Sequence, residues 1–263
     1  MKPLFLIRNV LIFFLIVVAA CLCAVTVRKI YKSKFQKEPV GFFENEKQQE
    51  VIKKNVFKDR EIIKFGIYSY GIRVGSGQLN YLGIEEEGGE KYQHIIFKAS
   101  TLSVKDEDDV KGSLDFSFPV RVDRDVTLFG KKELISERYS SDRRSVNISK
   151  IVNGSIEPEQ FIQSKDDINN VFLLLYQLRN DEEIGLGKVY VINLPTQKFE
   201  LVVDSKKKIK VPLGEFDVFY LESRPPKYKI WLQAQESRLP VKIQGLVAGG
   251  MLYLAATEVS FQG

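Results

Sequence analysis

The chain has two cysteines and one histidine in 263 residues, and this scarcity excludes most metal and thiol chemistry before any pattern is read. Cys21 and Cys23 both lie in the apolar N-terminal run. The remainder therefore has no disulfide framework, no cysteine-based zinc site and no thiol nucleophile. His94, in Tyr92-Gln-His-Ile-Ile-Phe97, stands alone, so histidine metal ligation is excluded almost by count. Without a nucleophile elbow it reads as a structural strand residue, not as part of a Ser-His-Asp triad. A basic footprint is missing too. The net charge of +5 is concentrated at the start, where residues 1–54 hold ten Lys/Arg against four Glu. The other 209 residues carry a net charge of −1, which argues against a nucleic-acid partner.

Phosphate loops and paired catalytic carboxylates are also absent as patterns. Gly75-Ser-Gly77 and Gly185-Leu-Gly187-Lys188 do not sit between a strand and a helix N-terminus. No spacing singles out two carboxylates for glycoside hydrolysis. The acidic run Asp106-Glu-Asp-Asp109 lacks the glycine and the ligand pattern of a calcium loop, and is expected to be a solvated hairpin tip. No enzyme and no cofactor are expected.

What is present begins with residues 10–27, eighteen residues without a charge, flanked by Arg8 and Arg28-Lys29. That is just enough to span a bilayer as a helix, so residues 1–30 are expected to be a transmembrane anchor. A lipoprotein signal peptide is the rival reading. Val18-Ala19-Ala20-Cys21 resembles a lipobox and makes Cys21 the candidate for lipidation, although the apolar run continues beyond it. Residues 31–58 read as a polar juxtamembrane linker, whose first basic residues suit anionic headgroups. Two Lys/Arg precede the apolar run and five follow it, so the charge-bias rule alone places the domain in the cytoplasm.

Residues 59–263 read as strand and turn. Segments alternating apolar and polar residues cover 62–70, 72–84, 92–102, 112–119, 122–129, 133–140 and 145–152, and later 188–193, 199–204, 216–223, 228–233, 240–245 and 251–261. Turn chemistry such as Glu87-Gly88-Gly89, Phe129-Gly130-Lys131 and Asn153-Gly154 separates several of them. One amphipathic helix is expected over 164–180, with Ile168, Val171, Phe172, Leu175 and Leu178 on one face and Ser164 as its cap. One helix cannot cover so many strands lying flat. The expected fold is all-β, an antiparallel curled sheet forming a barrel or half-barrel around one central helix, preceded by the transmembrane helix.

Several stretches in order resemble a family of bacterial periplasmic proteins known only as a domain of unknown function. They are Lys64 to Leu79, the helix running through Leu175-Tyr176-Gln177-Leu178-Arg179, and Val211-Pro212-Leu213-Gly214-Glu215-Phe216, in which Val211 replaces a usual threonine. Ile230-Trp231-Leu232 and Arg238-Leu239-Pro240-Val241-Lys242 complete the set. The resemblance implies a barrel-like fold and export, which opposes the charge bias; the domain is expected on the extracytoplasmic side. It implies no activity.

Two kinds of function remain. One is binding or carrying a lipid or other apolar envelope component between helix and sheet, with Tyr68, Tyr70, Phe172, Leu175, Tyr176, Leu178 and Trp231 as lining candidates. The other is a structural or assembly protein whose barrel is filled by its own side chains.

Overall fold

Among the described residues the period-two alternation forms fourteen antiparallel strands, and one helix interrupts them after the eighth. The computed structural model describes residues 57–245 and 252–261. The expected anchor, Cys21 and the linker up to residue 56 lie outside the described residues. Among the described residues no helix is long and apolar enough to cross a membrane.

The first eight strands are β1 Glu61–Ser69, β2 Ile72–Glu87, β3 Glu90–Thr101, β4 Val104–Gly112, β5 Pro119–Leu128, β6 Lys131–Tyr139, β7 Ser145–Val152 and β8 Ser155–Gln163. Helix α1, Val171–Asn180, follows. The second run is β9 Val189–Leu194, β10 Gln197–Val211, β11 Gly214–Arg224, β12 Lys229–Gln233, β13 Pro240–Gln244 and β14 Tyr253–Phe261. Each run is a meander, and β14 pairs with β1, so the order is β8 through β1, then β14 back to β9. Ile63 lies opposite Val259, and Ile67 opposite Leu254.

This topology explains the position of the helix. Its chain must pass from one free edge, β8, to the other, β9, and the short route lies across the concave face. The sheet stays open at those edges and is a half-barrel. Pro158 sits in β8, where a missing backbone donor breaks no ladder on the outer side.

The core is the layer between α1 and the concave face. Ile63, Phe65 and Ile67 of β1, Ile95 and Phe97 of β3, Leu201 and Val203 of β10, and Ile230 and Leu232 of β12 are buried there with Leu173, Leu175 and Leu178 of the helix. Gly112 of β4 permits the closest approach, because a Cβ on it would stand 2.5 Å from Leu173 Cδ2.

Three expectations are corrected. The helix begins at Val171, not near Ser164. Asn170 is its cap and accepts from the backbone N–H of Phe172 at 2.8 Å and of Leu173 at 3.3 Å. Residues 164–169 instead stitch strands together. The Asn193 side chain donates to Ser164 Oγ and to the carbonyls of Asp166 and Asp167, and the Ile168 N–H donates to the Arg143 carbonyl. The acidic run 106–109 is the middle of strand β4, while 113–118 turns. A strand absorbs four carboxylates because each meets a cation or histidine: Arg124 for Asp106 and Asp108, Lys98 for Glu107, and His94 for Asp109. Lastly, β8 is a strand the apolar pattern does not announce, and β10 runs on through Lys206-Lys207-Lys208.

Candidate functional site

The space between α1 and the sheet is the first place to look for a ligand. Phe172 stacks on Phe97 with centroids 4.8 Å apart. Tyr176 is enclosed by Phe57, Tyr81 and Phe116 at 4.8, 5.4 and 5.5 Å. Burial pushes its phenol above the ordinary range. Leu175 and Leu178 are wholly covered. A cleft in this layer, lined by Val171, Leu174, Leu175, Phe199, Tyr228 and Ile243, has room for about 10 Å³, the space of a single water.

Beyond this cluster, Arg179 fixes the end of the helix. It donates to both carboxylate oxygens of Glu61, at 2.5 and 2.9 Å, and to the Ser237 carbonyl at 3.2 Å. Its guanidinium lies 4.6 Å from the Phe57 ring centre.

Four of the seven lining candidates, Phe172, Leu175, Tyr176 and Leu178, thus lie where expected, in a filled layer. The other three do not line it. Tyr70 is at the tip of the β1–β2 hairpin and is 97% exposed. Tyr68 and Trp231 follow inward-facing Ile67 and Ile230 by one residue, and the strand period turns them to the opposite face. Gly66 shares that face with Tyr68, whose ring lies where a Cβ would be, 2.6 Å away.

On this opposite face a row of aromatic and cationic side chains crosses seven strands. Arg73 pairs with Tyr68 across β2 and β1. Tyr68 stacks on Tyr253 at 5.3 Å and 12°. Lys242 Nζ lies 4.1 Å from the Tyr253 ring centre and 4.8 Å from that of Trp231. Trp231 meets Tyr220 at 5.1 Å, and Lys207 Nζ stands 3.6 Å over Tyr220. Burial, with the neighbouring Lys229, lowers the Lys242 pKa. Among the described residues no carboxylate lies within ion-pair distance of Lys242 or Lys207. Such a row can take an anionic group against a flat apolar surface. The sequence carried Trp231 and Tyr68 as aromatics, but Lys242 and Lys207 gave no signal, since only the register places them between rings.

The same face holds an open polar groove of about 690 Å³, lined among others by Lys64, Lys98, Lys105, Glu107, Asp125 and Glu258. Its charges are largely paired, Lys64 with Glu258 at 2.9 Å and Lys98 with Glu107 at 2.8 Å. His94 bridges Glu85 and Asp109 at 2.7 and 2.9 Å, and this hydrogen bond lowers the Asp109 pKa. On the concave face, Asp108 is buried against Arg124, and burial raises its pKa to about 7 although Arg124 opposes the rise. Burial also raises Glu137 and Tyr139 beside it. Among the described residues no cluster of three metal-ligating side chains occurs.

No family model matches the chain, and no curated protein matches it either. Among solved structures it is similar to the crystal structure of a β-barrel-like protein of domain of unknown function DUF1849 from Brucella abortus. The identity is 8% and the TM-score 0.43, over 77% of this chain and 98% of that one. That protein is of the kind the sequence motifs resemble, a barrel-like domain of unknown function.

Proposed function

We propose that the chain is a membrane-tethered protein of the cell envelope, held with its domain on the extracytoplasmic side, that works without catalysis as a structural or assembly module. The observation that carries this reading is the filled layer between helix and sheet. An acyl chain would need a pocket of several hundred Å³, whereas the cleft beside Leu174 and Leu175 has room for about 10 Å³. To admit a lipid, Phe172 would have to leave Phe97, and Tyr176 would have to leave a cluster of three other rings. The active part of the molecule is then its surface.

Titration with an environment-sensitive fluorescent fatty acid tests this. Full-length protein is expected to give no saturable signal beyond that of the Leu175→Ala variant and of protein-free detergent. A saturable signal displaced by unlabelled fatty acid would favour the carrier reading instead. Placement is tested separately by fusing alkaline phosphatase after residue 58. The fusion is expected to be active, and an inactive enzyme there would put the domain in the cytoplasm.

A further inference from the structure

Five large apolar side chains are more than two-thirds exposed among the described residues: Tyr70, Ile72, Leu102, Phe129 and Ile156. All five lie in or beside the turns of the β1–β2, β3–β4, β5–β6 and β7–β8 hairpins. In an antiparallel meander these four turns share one end of the sheet; Val104 opposite Leu128 levels the β3–β4 and β5–β6 tips, while Gly75 opposite Thr101 lets the β1–β2 tip project further, by about 10 Å.

The backbone marks two of these residues. Tyr70-Gly71, Phe129-Gly130 and Asn153-Gly154 each have both central residues at positive φ, with the first at 49° in all three. Such a turn favours asparagine, aspartate or glycine first, and Asn153 conforms. An aromatic residue in this conformation is sterically costly. Tyr70 and Phe129 adopt it and still present 97% and 80% of their surface to solvent. Neither ring contributes to the core, so the fold gives no reason for them.

Charge separates the two ends as well. Residues 69–76, 100–105, 126–132 and 149–156 contain no Asp or Glu; the cations just behind the tips include Arg73 and Lys105, with Lys131 and Lys132 paired to Glu133 and Asp125. At the other end the acidic charge is concentrated in the β2–β3 hairpin, Glu85-Glu86-Glu87-Gly88-Gly89-Glu90, while the β6–β7 turn holds Asp142 together with Arg143 and Arg144.

We propose that the four hairpin tips form a peripheral membrane-contact surface, inserting Tyr70, Leu102 and Phe129 among lipid chains while the basic residues behind them meet anionic headgroups. This goes beyond the tether and beyond the filled core, and depends on neither. Adjacent tips are two strands apart, about 10 Å, so they make separate prongs and no continuous apolar patch. A rigid protein partner would need a matching pocket for each, whereas a bilayer conforms to all of them. Aromatic and leucine side chains backed by Lys and Arg are the composition that interfacial insertion requires.

The test uses the full chain in nanodiscs of phosphatidylglycerol and phosphatidylethanolamine, with Cys21→Ser and Cys23→Ser, and one environment-sensitive fluorophore attached at Leu102→Cys, Phe129→Cys or, as control, Gly88→Cys. Lipids carrying a nitroxide quencher are placed either in the nanodisc or in added vesicles of the same composition. Labels at 102 and 129 are expected to shift to the blue and be quenched from one of these bilayers, and the label at 88 from neither. Tyr70→Asn with Phe129→Asn keeps the turns in their favoured chemistry. It is expected to weaken quenching at 102 more than about tenfold in lipid concentration, the least that one buried aromatic side chain is worth. Equal behaviour at 102 and 88, or unchanged quenching in the double variant, would overturn the proposal. So would fluorophore self-quenching at 102 that depends on protein concentration without nitroxide lipid, which would assign the tips to contact with a second copy.

Discussion

Replacing Arg179 by methionine should cost about 3–5 kcal/mol, because the change strands a buried carboxylate. Arg179 is fully buried and Glu61 is 4% exposed. The two bonds between them, at 2.5 and 2.9 Å, satisfy both carboxylate oxygens, and the Ser237 carbonyl accepts from the same guanidinium. Three parts of the chain are tied at this point: the first residue of β1, the last turn of α1 and the β12–β13 loop. Methionine fills much of the volume, but Glu61 keeps its charge without a partner and Ser237 loses a donor. The pair itself adds far less than its removal costs, since both groups are desolvated in forming it. Adding Glu61→Leu to Arg179→Met should therefore recover a large part of the loss, leaving a coupling of about 2 kcal/mol or more. Urea unfolding of the wild type, both single variants and the double variant, with equal slopes, measures this directly. A cost below about 1 kcal/mol for Arg179→Met, or strict additivity of the two changes, would refute the claim that this pair locks the helix to the sheet.

Other changes test the same architecture. Leu175→Ala should cost about 2–5 kcal/mol in the same assay, and an effect under about 0.5 kcal/mol would make the helix peripheral. Gly112→Val brings a side chain against Leu173, where even a Cβ would stand at 2.5 Å. It should destabilise by about 1–3 kcal/mol through overpacking, and a neutral result would mean that the helix is not held so close. Asp108 predicts a pH effect with a definite sign. Burial, opposed by Arg124, raises its pKa to about 7, so the folded chain holds that proton more tightly than the unfolded one. The linked stability is full below the ordinary carboxylate value of about 4 and is lost as pH rises through about 7. Asp108→Asn cannot ionise and should gain on the wild type between about pH 5 and 8; parallel pH curves would contradict this.

Much of the strand pattern was legible because half-buried strands alternate, and β1, β3, β7 and β12 fall within two residues of where the alternation puts them. The misses share a cause. In β4 each acidic residue finds a cation or a histidine on a neighbouring strand, a compensation invisible along one segment. In β8 there is no second neighbour to bury a face, so the apolar signal is weak. The helix started late because Asn169 and Asn193 bond across elements: the Asn169 side chain accepts from the Asn193 N–H at 2.9 Å, which holds the segment extended. Of the lining candidates, the four on the helix were placed by its period. Tyr68 and Trp231 face the other way because each follows an inward residue, Ile67 or Ile230, by one position, and aromatic character does not reveal strand phase. The hairpin tips had a turn signal in Phe129-Gly130-Lys131, but that the ring points to solvent is a property of the folded turn.

The central claim is that the half-barrel is filled by its own helix and side chains. Native mass spectrometry of the full chain, extracted from the envelope and released from detergent in the gas phase, tests it most directly. The account predicts a final mass equal to the protein with its own covalent modifications and nothing more. A lipid or other apolar adduct of fixed mass and unit stoichiometry, lost in step with unfolding of the domain, would contradict it.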